Sequence, residues 1–258
     1  MALFLQNYKQ KNNLIGKNMP YRRLPNTDLA RIRAMKAALK KGTVLHPFDL
    51  AFSQALFLNL KSFVPVFEKA VEDQRRAANT QATKNKDYLN AFKKAQMYIS
   101  HFIQVLNFTI ARGELAAKIR KYYGFDVNDK KVPSLNTDEE LIEFGTNLIK
   151  GEHTRTMEGG SPILNPKISL VAMYFDKFMD AYQNQKKLKE NSSKANLNVA
   201  SLRMKADQLI LDVWNEVEKH FESLDPDEKR KLSASYGLVY VYRKSEKKSV
   251  ESFLQLSA

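Results

Sequence analysis

Lys118-Ile119-Arg120-Lys121-Tyr122-Tyr123-Gly124-Phe125 recurs as Lys231-Leu232-Ser233-Ala234-Ser235-Tyr236-Gly237-Leu238, and the displacement of 113 residues organises the reading of the whole chain. Each copy ends a polar, helix-favouring run on Tyr-Gly, which predicts a short helix stopped by a glycine in the left-handed conformation. The same displacement sets Ala82 on Ala195, Asn85 on Asn198, Leu89 on Leu202 and Phe108 on Phe221 without a gap. We read the chain as internally duplicated, with repeats at 48–127 and 161–240 and an insert at 128–160.

Working outward, Pro47 opens a first long helix on which Phe52, Ala55, Leu56, Phe63, Val66, Phe67 and Ala70 recur at helical intervals. Pro65 lies inside it and is expected to kink the helix without ending it, because the apolar pattern resumes in phase. The polar run from Asn79 to Asn85 is read as a hairpin turn, after which a helix returns through Leu89, Phe92, Ile99, Ile103, Leu106 and Ile110. The second repeat follows the same plan, through Ile168, Val171, Phe175 and Phe178, a turn at Asn191–Asn198, and a return through Leu202, Leu209, Val213 and Phe221. Two such hairpins predict an all-α four-helix up-and-down bundle with one shared core over residues 43–258.

Short accessory helices complete this plan. Thr27 and Asp28 start a basic arm helix within 21–42, stopped by Gly42. Thr137-Asp138-Glu139-Glu140 has capping-box spacing and starts a helix reaching about Lys150, followed by a glycine-bearing loop, 151–162. Asp225-Pro226-Asp227-Glu228 starts a third. Leu238-Val239-Tyr240-Val241-Tyr242 is strand-like, and Phe125-Asp126-Val127 in the first repeat is its candidate partner in a two-stranded element. Residues 1–20 are polar and aperiodic and are expected to form a disordered basic tail.

Composition limits function. With 43% apolar and 10% aromatic residues the chain can build a substantial core. It has no cysteine, which removes disulfides, thiolate metal sites and cysteine nucleophiles. No secretory signal or membrane-length apolar run is read, so a cytoplasmic location is expected. Residues 1–41 hold ten basic side chains against Asp28 alone, so +9 of the net +14 lies there.

That asymmetry singles out Tyr21, Arg22, Arg23, Arg31 and Arg33 as an anion- or nucleic-acid-binding arm. The arginines would meet phosphates and Tyr21 would stack. Arg31 and Arg33 are two apart on a helix and point in different directions, so no continuous basic stripe is expected. The segment resembles the opening of uncharacterised helical proteins from bacteria; the resemblance implies no activity.

Catalytic signatures are absent. No phosphate-binding glycine loop, nucleophile elbow or zinc-protease motif occurs, and the inward Glu-x-x-His pairs of di-iron bundles are missing. Glu216 and His220 lie one turn apart without counterparts in the first repeat, so neither metal nor cofactor is expected. His101 falls on Trp214 at the 113-residue displacement, which reads as packing at a helix seam. Tyr123 and Tyr236, with Gly124 and Gly237, read as structural marks of the repeat, their rings covering the bundle end and their hydroxyls in water.

The expected function is a non-enzymatic binding or scaffolding protein that contacts an anionic partner, nucleic acid or an acidic protein, through its arm. An oligomeric structural protein is one alternative. The other is an enzyme with its site near the 126–165 insert, where Glu114, Arg120, Tyr122, Tyr123, Glu152, His153 and Arg155 are the polar groups available and Gly159-Gly160 could hinge.

Overall fold

The computed structural model describes residues 21–241; the expected tail lies outside the described residues. In chain order come β1 (Tyr21–Arg22), α1 (Asp28–Val44), a 3-10 turn (Pro47–Asp49) and α2 (Gln54–Ala111). A 3-10 helix (Ala117–Tyr123), α3 (Asp138–Met157), α4 (Ile168–His220), α5 (Pro226–Ala234) and β2 (Tyr240–Val241) follow. The fold is all-α with one small antiparallel sheet. Tyr21 pairs with Val241 and Arg22 with Tyr240, so the strand read at 238–242 finds the arm as its partner, and Phe125–Val127 forms no strand.

Three start signals act as read, whereas Pro47 opens a separate 3-10 turn ahead of α2, and Gly42, expected to stop the arm helix, lies within α1, which runs to Val44. Thr27 Oγ1 accepts from the Ala30 N–H at 3.2 Å, Thr137 and Glu140 form a reciprocal capping box, and Asp225 accepts from the Asp227 N–H ahead of α5. Gly124 and Gly237 adopt φ of 76° and 94° and stop the preceding helical turns.

The hairpin turns expected at Asn79–Asn85 and Asn191–Asn198 do not occur: α2 runs unbroken for 58 residues and α4 for 53. Neither Arg75–Asp87 nor Lys186–Asn198 contains glycine or proline, and their Ala, Gln, Lys and Arg residues favour helix. Polarity there marks solvated helix surface. Pro65 lies inside α2, which continues past it as expected.

The chain divides into two compact units, residues 1–74 with 196–258, and residues 75–195. Buried apolar side chains form two clusters in place of the single core expected. One includes Met35, Leu60, Phe67, Trp214 and Tyr236; the other includes Ile99, Phe102, Tyr123, Leu141 and Phe178.

Buried positions recur between the units. Ile32 and Gly145, Met35 and Leu148, Ala38 and Gly151, and Tyr123 and Tyr236 are buried pairs 113 residues apart. At that displacement buried positions of the arm helix α1 line up with buried positions of α3, the helix read as an insert. In the long helices the displacement that superposes burial is 111, as in Leu60 and Val171, Phe67 and Phe178, Ile99 and Ile210, and Leu106 and Val217. A two-residue change turns a helix by about 200°, onto its opposite side. Trp214 accordingly corresponds to buried Ile103, while His101 is exposed, which corrects the seam pairing of His101 with Trp214.

Candidate functional site

Of the five arm residues, two are engaged by acids of α4. Arg22 Nη1 lies 3.0 Å from Glu218 Oε2 and 2.9 Å from Asn215 Oδ1, with its guanidinium 5.9 Å from the centre of the Trp214 ring. Glu218 also accepts from the Tyr240 hydroxyl at 2.8 Å, which fastens both strands of the sheet to the helix. Burial, aided by Glu218, raises the Tyr240 phenol to about 12. Arg31 makes a two-pronged contact with Asp207 at 2.7 and 3.0 Å. Asp28 in turn accepts from Arg203 at 2.8 and 2.7 Å, so α1 is held to α4 by charge pairs of both polarities.

Arg23 and Arg33 are disposed differently. The Arg23 N–H donates to the Val239 carbonyl at 2.8 Å, which fixes its backbone at the end of the strand pair, and both guanidinium groups are exposed. They line a cavity of about 600 Å³ with Asn26, Trp214, Gly237 and Val239. No acidic residue lines it, and neither arginine has a carboxylate partner among the described residues. Its wall is closely packed for a local reason. A β-carbon on Gly237 would stand 2.7 Å from the Ala34 carbonyl, so only glycine lets the chain pass this close to α1. Tyr21 pairs in the strand, half-exposed, and is not among the residues that line this cavity.

In the second unit the groups near the expected insert separate into distinct contacts. Tyr123, Glu152 and Arg155 meet in a buried network. The Tyr123 hydroxyl donates to Glu152 Oε2 at 2.5 Å, and Arg155 donates to both Glu152 oxygens at 2.9 Å. Arg155 Nη2 also reaches the Ser161 carbonyl at 2.7 Å, and the Ile163 N–H donates to Glu152 at 2.9 Å. Glu152 is fully buried and Arg155 3% exposed. Burial foremost, then the hydrogen bond to Glu152, drives the Tyr123 phenol well above its ordinary value. The Tyr123 hydroxyl is thus buried and bonded, against the expectation that it meets water, and Tyr236 is buried too.

The remaining candidates lie apart from that network or at its edge. Arg120, 3% exposed, donates to Asn107 Oδ1 and the Val127 carbonyl and has no carboxylate partner among the described residues. Tyr122 bonds Glu158, Glu114 pairs with Arg112 and His153 is exposed. Glu216 accepts from the Ser53 N–H at 2.6 Å and holds the chain just before α2. Among the described residues no three His, Cys, Asp or Glu side chains group as a metal site, and no helix is long and apolar enough to cross a membrane.

The sequence reading did not find Trp214, Gly237 and Val239 as cavity walls, nor Asp207 and Glu218 as the partners that disarm Arg31 and Arg22. These contacts join residues more than 170 positions apart, and only the helical phase of α4 carried any sign of them. Set against known proteins, the sequence matches no family model, and no curated protein and no solved structure matches it either.

Proposed function

We propose that this protein is a binding module that engages an anionic partner, nucleic acid, through the segment carrying Arg23 and Arg33. The observation that supports this reading is the cavity of about 600 Å³ in which these two exposed arginines have no acidic partner among the described residues. Arg22 and Arg31 serve the reading indirectly, by holding the strand and α1 in place. The cavity combines two cations with the polar edge of Asn26, which suits a phosphate, while Trp214, 1% exposed, forms its floor. In the second unit the Glu152 carboxylate accepts four hydrogen bonds and is paired with Arg155, which supports a structural duty there in place of acid–base chemistry.

The test is fluorescence anisotropy of random-sequence DNA and RNA across a salt series, comparing the protein with an Arg23→Glu/Arg33→Glu variant. Removing two phosphate-binding side chains should reduce the slope of log affinity against log salt by about 2. The melting temperature should hold, because both side chains are exposed. An unchanged slope with unchanged affinity rejects the arm as the contact.

A further inference from the structure

In the second unit, one face of α2 carries Lys94, Tyr98, His101, Val105 and Thr109, spaced by three and four residues and therefore aligned along the helix, with Arg112 in the turn just beyond its end. It borders the buried row Ala95, Ile99, Phe102 and Leu106 and is itself partly or fully exposed. From Lys94 to Thr109 it extends about 22 Å at the helical rise. Two observations distinguish it from an ordinary solvated face.

The first is aromatic. The Tyr98 ring stacks on Tyr174 of α4 with centroids 4.3 Å apart and planes 8° from parallel, and both residues are partly buried. A hydrogen bond to the Tyr174 hydroxyl leads the causes that raise the Tyr98 phenol. The second is electrostatic. The ammonium groups of Lys94 and Lys177 stand 5.8 and 5.4 Å from the centre of the Tyr174 ring, and neither lysine has an ion-pair partner among the described residues. Toward the other end, His101, Thr109 and Arg112 line a groove of about 560 Å³ with Ser161 and Asn165, whose acidic lining residue, Glu114, is neutralised by Arg112.

Two unpaired lysines beside a stacked tyrosine pair, on a strip whose remaining basic group, Arg112, is paired with Glu114, match a polymer that alternates phosphate with an unpaired, stackable ring. We infer that this strip binds single-stranded nucleic acid, with a base on the Tyr98–Tyr174 stack and phosphates on Lys94 and Lys177; the inference rests on the reading of the protein as a nucleic-acid binder. Stacking is sequence-tolerant, since every base has a π face, and duplexed bases cannot reach the rings. Double-stranded nucleic acid and an acidic peptide share the charge but lack the free ring.

The test uses the full chain and three labelled probes of equal length: oligothymidylate, an abasic oligomer with the same phosphates, and a duplex. The wild type is expected to favour oligothymidylate over the abasic probe by about tenfold or more, the scale of aromatic stacking on a base. Tyr98→Leu/Tyr174→Leu should remove that preference while leaving abasic binding intact, and Lys94→Glu/Lys177→Glu should weaken both. Arg23→Glu/Arg33→Glu should lower affinity for all three probes alike, so failure of the arm reading is seen separately. Equal binding of oligothymidylate and the abasic probe by the wild type overturns the inference, as does a Tyr98→Leu/Tyr174→Leu variant with wild-type preference. Should that variant unfold, photocrosslinking of wild type to 5-iodouracil-substituted oligomer decides. Adducts on the peptides bearing Tyr98 or Tyr174 support the strip, and adducts confined to residues 21–33 overturn it.

Discussion

Residues 1–74 with 196–258 hold twenty-two basic and fifteen acidic side chains, and residues 75–195 hold twenty and thirteen, so each unit carries +7. The units also share a plan of covering helix, long-helix segments and a Tyr-Gly stop. They differ in how polar groups are used. In the first, charges on α1 and β1 meet α4 at the margin of the core, through Arg22 and Glu218, Arg31 and Asp207, and Asp28 and Arg203. In the second, besides exposed pairs such as Arg112 with Glu114, one ion pair is buried, Glu152 with Arg155, and lysines along α2 and α4 stand free of it. The same scaffold thus tolerates charge as a peripheral latch in one place and as a buried pin in the other, and these have unequal consequences when broken.

The largest effect is expected at the pin. Glu152→Ala leaves Arg155 buried without its counter-charge and strips the Tyr123 hydroxyl and the Ile163 N–H of their acceptor. Such a change costs about 3–5 kcal/mol. Urea unfolding should show it, and hydrogen exchange should rise around 138–163 more than around 28–44. Replacing Glu152 and Arg155 together by Leu and Met should recover much of that stability, because the cost arises from the unpaired charge. A double variant as unstable as Glu152→Ala would show that the contacts to Tyr123 and Ile163 dominate instead.

Next in size is Gly151→Ala. An added β-carbon would lie 2.3 Å from the Tyr122 carbonyl oxygen, a backbone atom that cannot swing aside. Overpacking of this kind costs about 1–3 kcal/mol, offset in small part by the better helix propensity of alanine. Its counterpart in the first unit is already alanine, Ala38, buried at 1% exposure. Ala38→Gly should cost about 1–2 kcal/mol, by loss of helix propensity and of a buried methyl group. Thermal melts of the two variants measure how much closer the covering helix approaches the chain in the second unit; equal destabilisation would remove that distinction.

The contrast also explains what the sequence could reveal. Helix starts were readable because Thr27, Thr137, Asp225 and Pro226 act within a turn of themselves, and Tyr-Gly stops were readable for the same reason. The end of α3 was misread. Gly151 resembles a stop in sequence, yet it lies within a helix that continues to Met157, where its missing side chain admits the Tyr122 carbonyl. The turns read at 79–85 and 191–198 rested on polarity alone, and polarity without glycine or proline is compatible with a helix solvated on most sides. The arm was legible as a charge excess but not as a site, since which arginines remain available depends on acids of α4 nearly two hundred residues away. Tyr98 and Tyr174 lie too far apart in sequence for any local pattern to show their stack.

The smallest expected effect tests the latch. Two hydrogen bonds from Arg203 hold the Asp28 carboxyl below its ordinary range, outweighing partial burial, which acts the other way. A carboxyl lowered on folding contributes stability that is complete above its unfolded pKa, about 4, and is lost as pH falls through the lower folded value. Asp28→Asn keeps the shape, removes the charge and should cost about 1 kcal/mol at neutral pH. The gap in melting temperature between variant and wild type should close as pH falls below 4. Arg203 is 40% exposed on its side chain, so high salt should narrow the gap as well. Glu152 is fully buried behind its partners, and salt should leave the Glu152→Ala deficit nearly unchanged. A salt-independent deficit at Asp28 would mean that its contact is shielded like the pin, and the distinction between peripheral and buried charge would then fail where it is most directly measured.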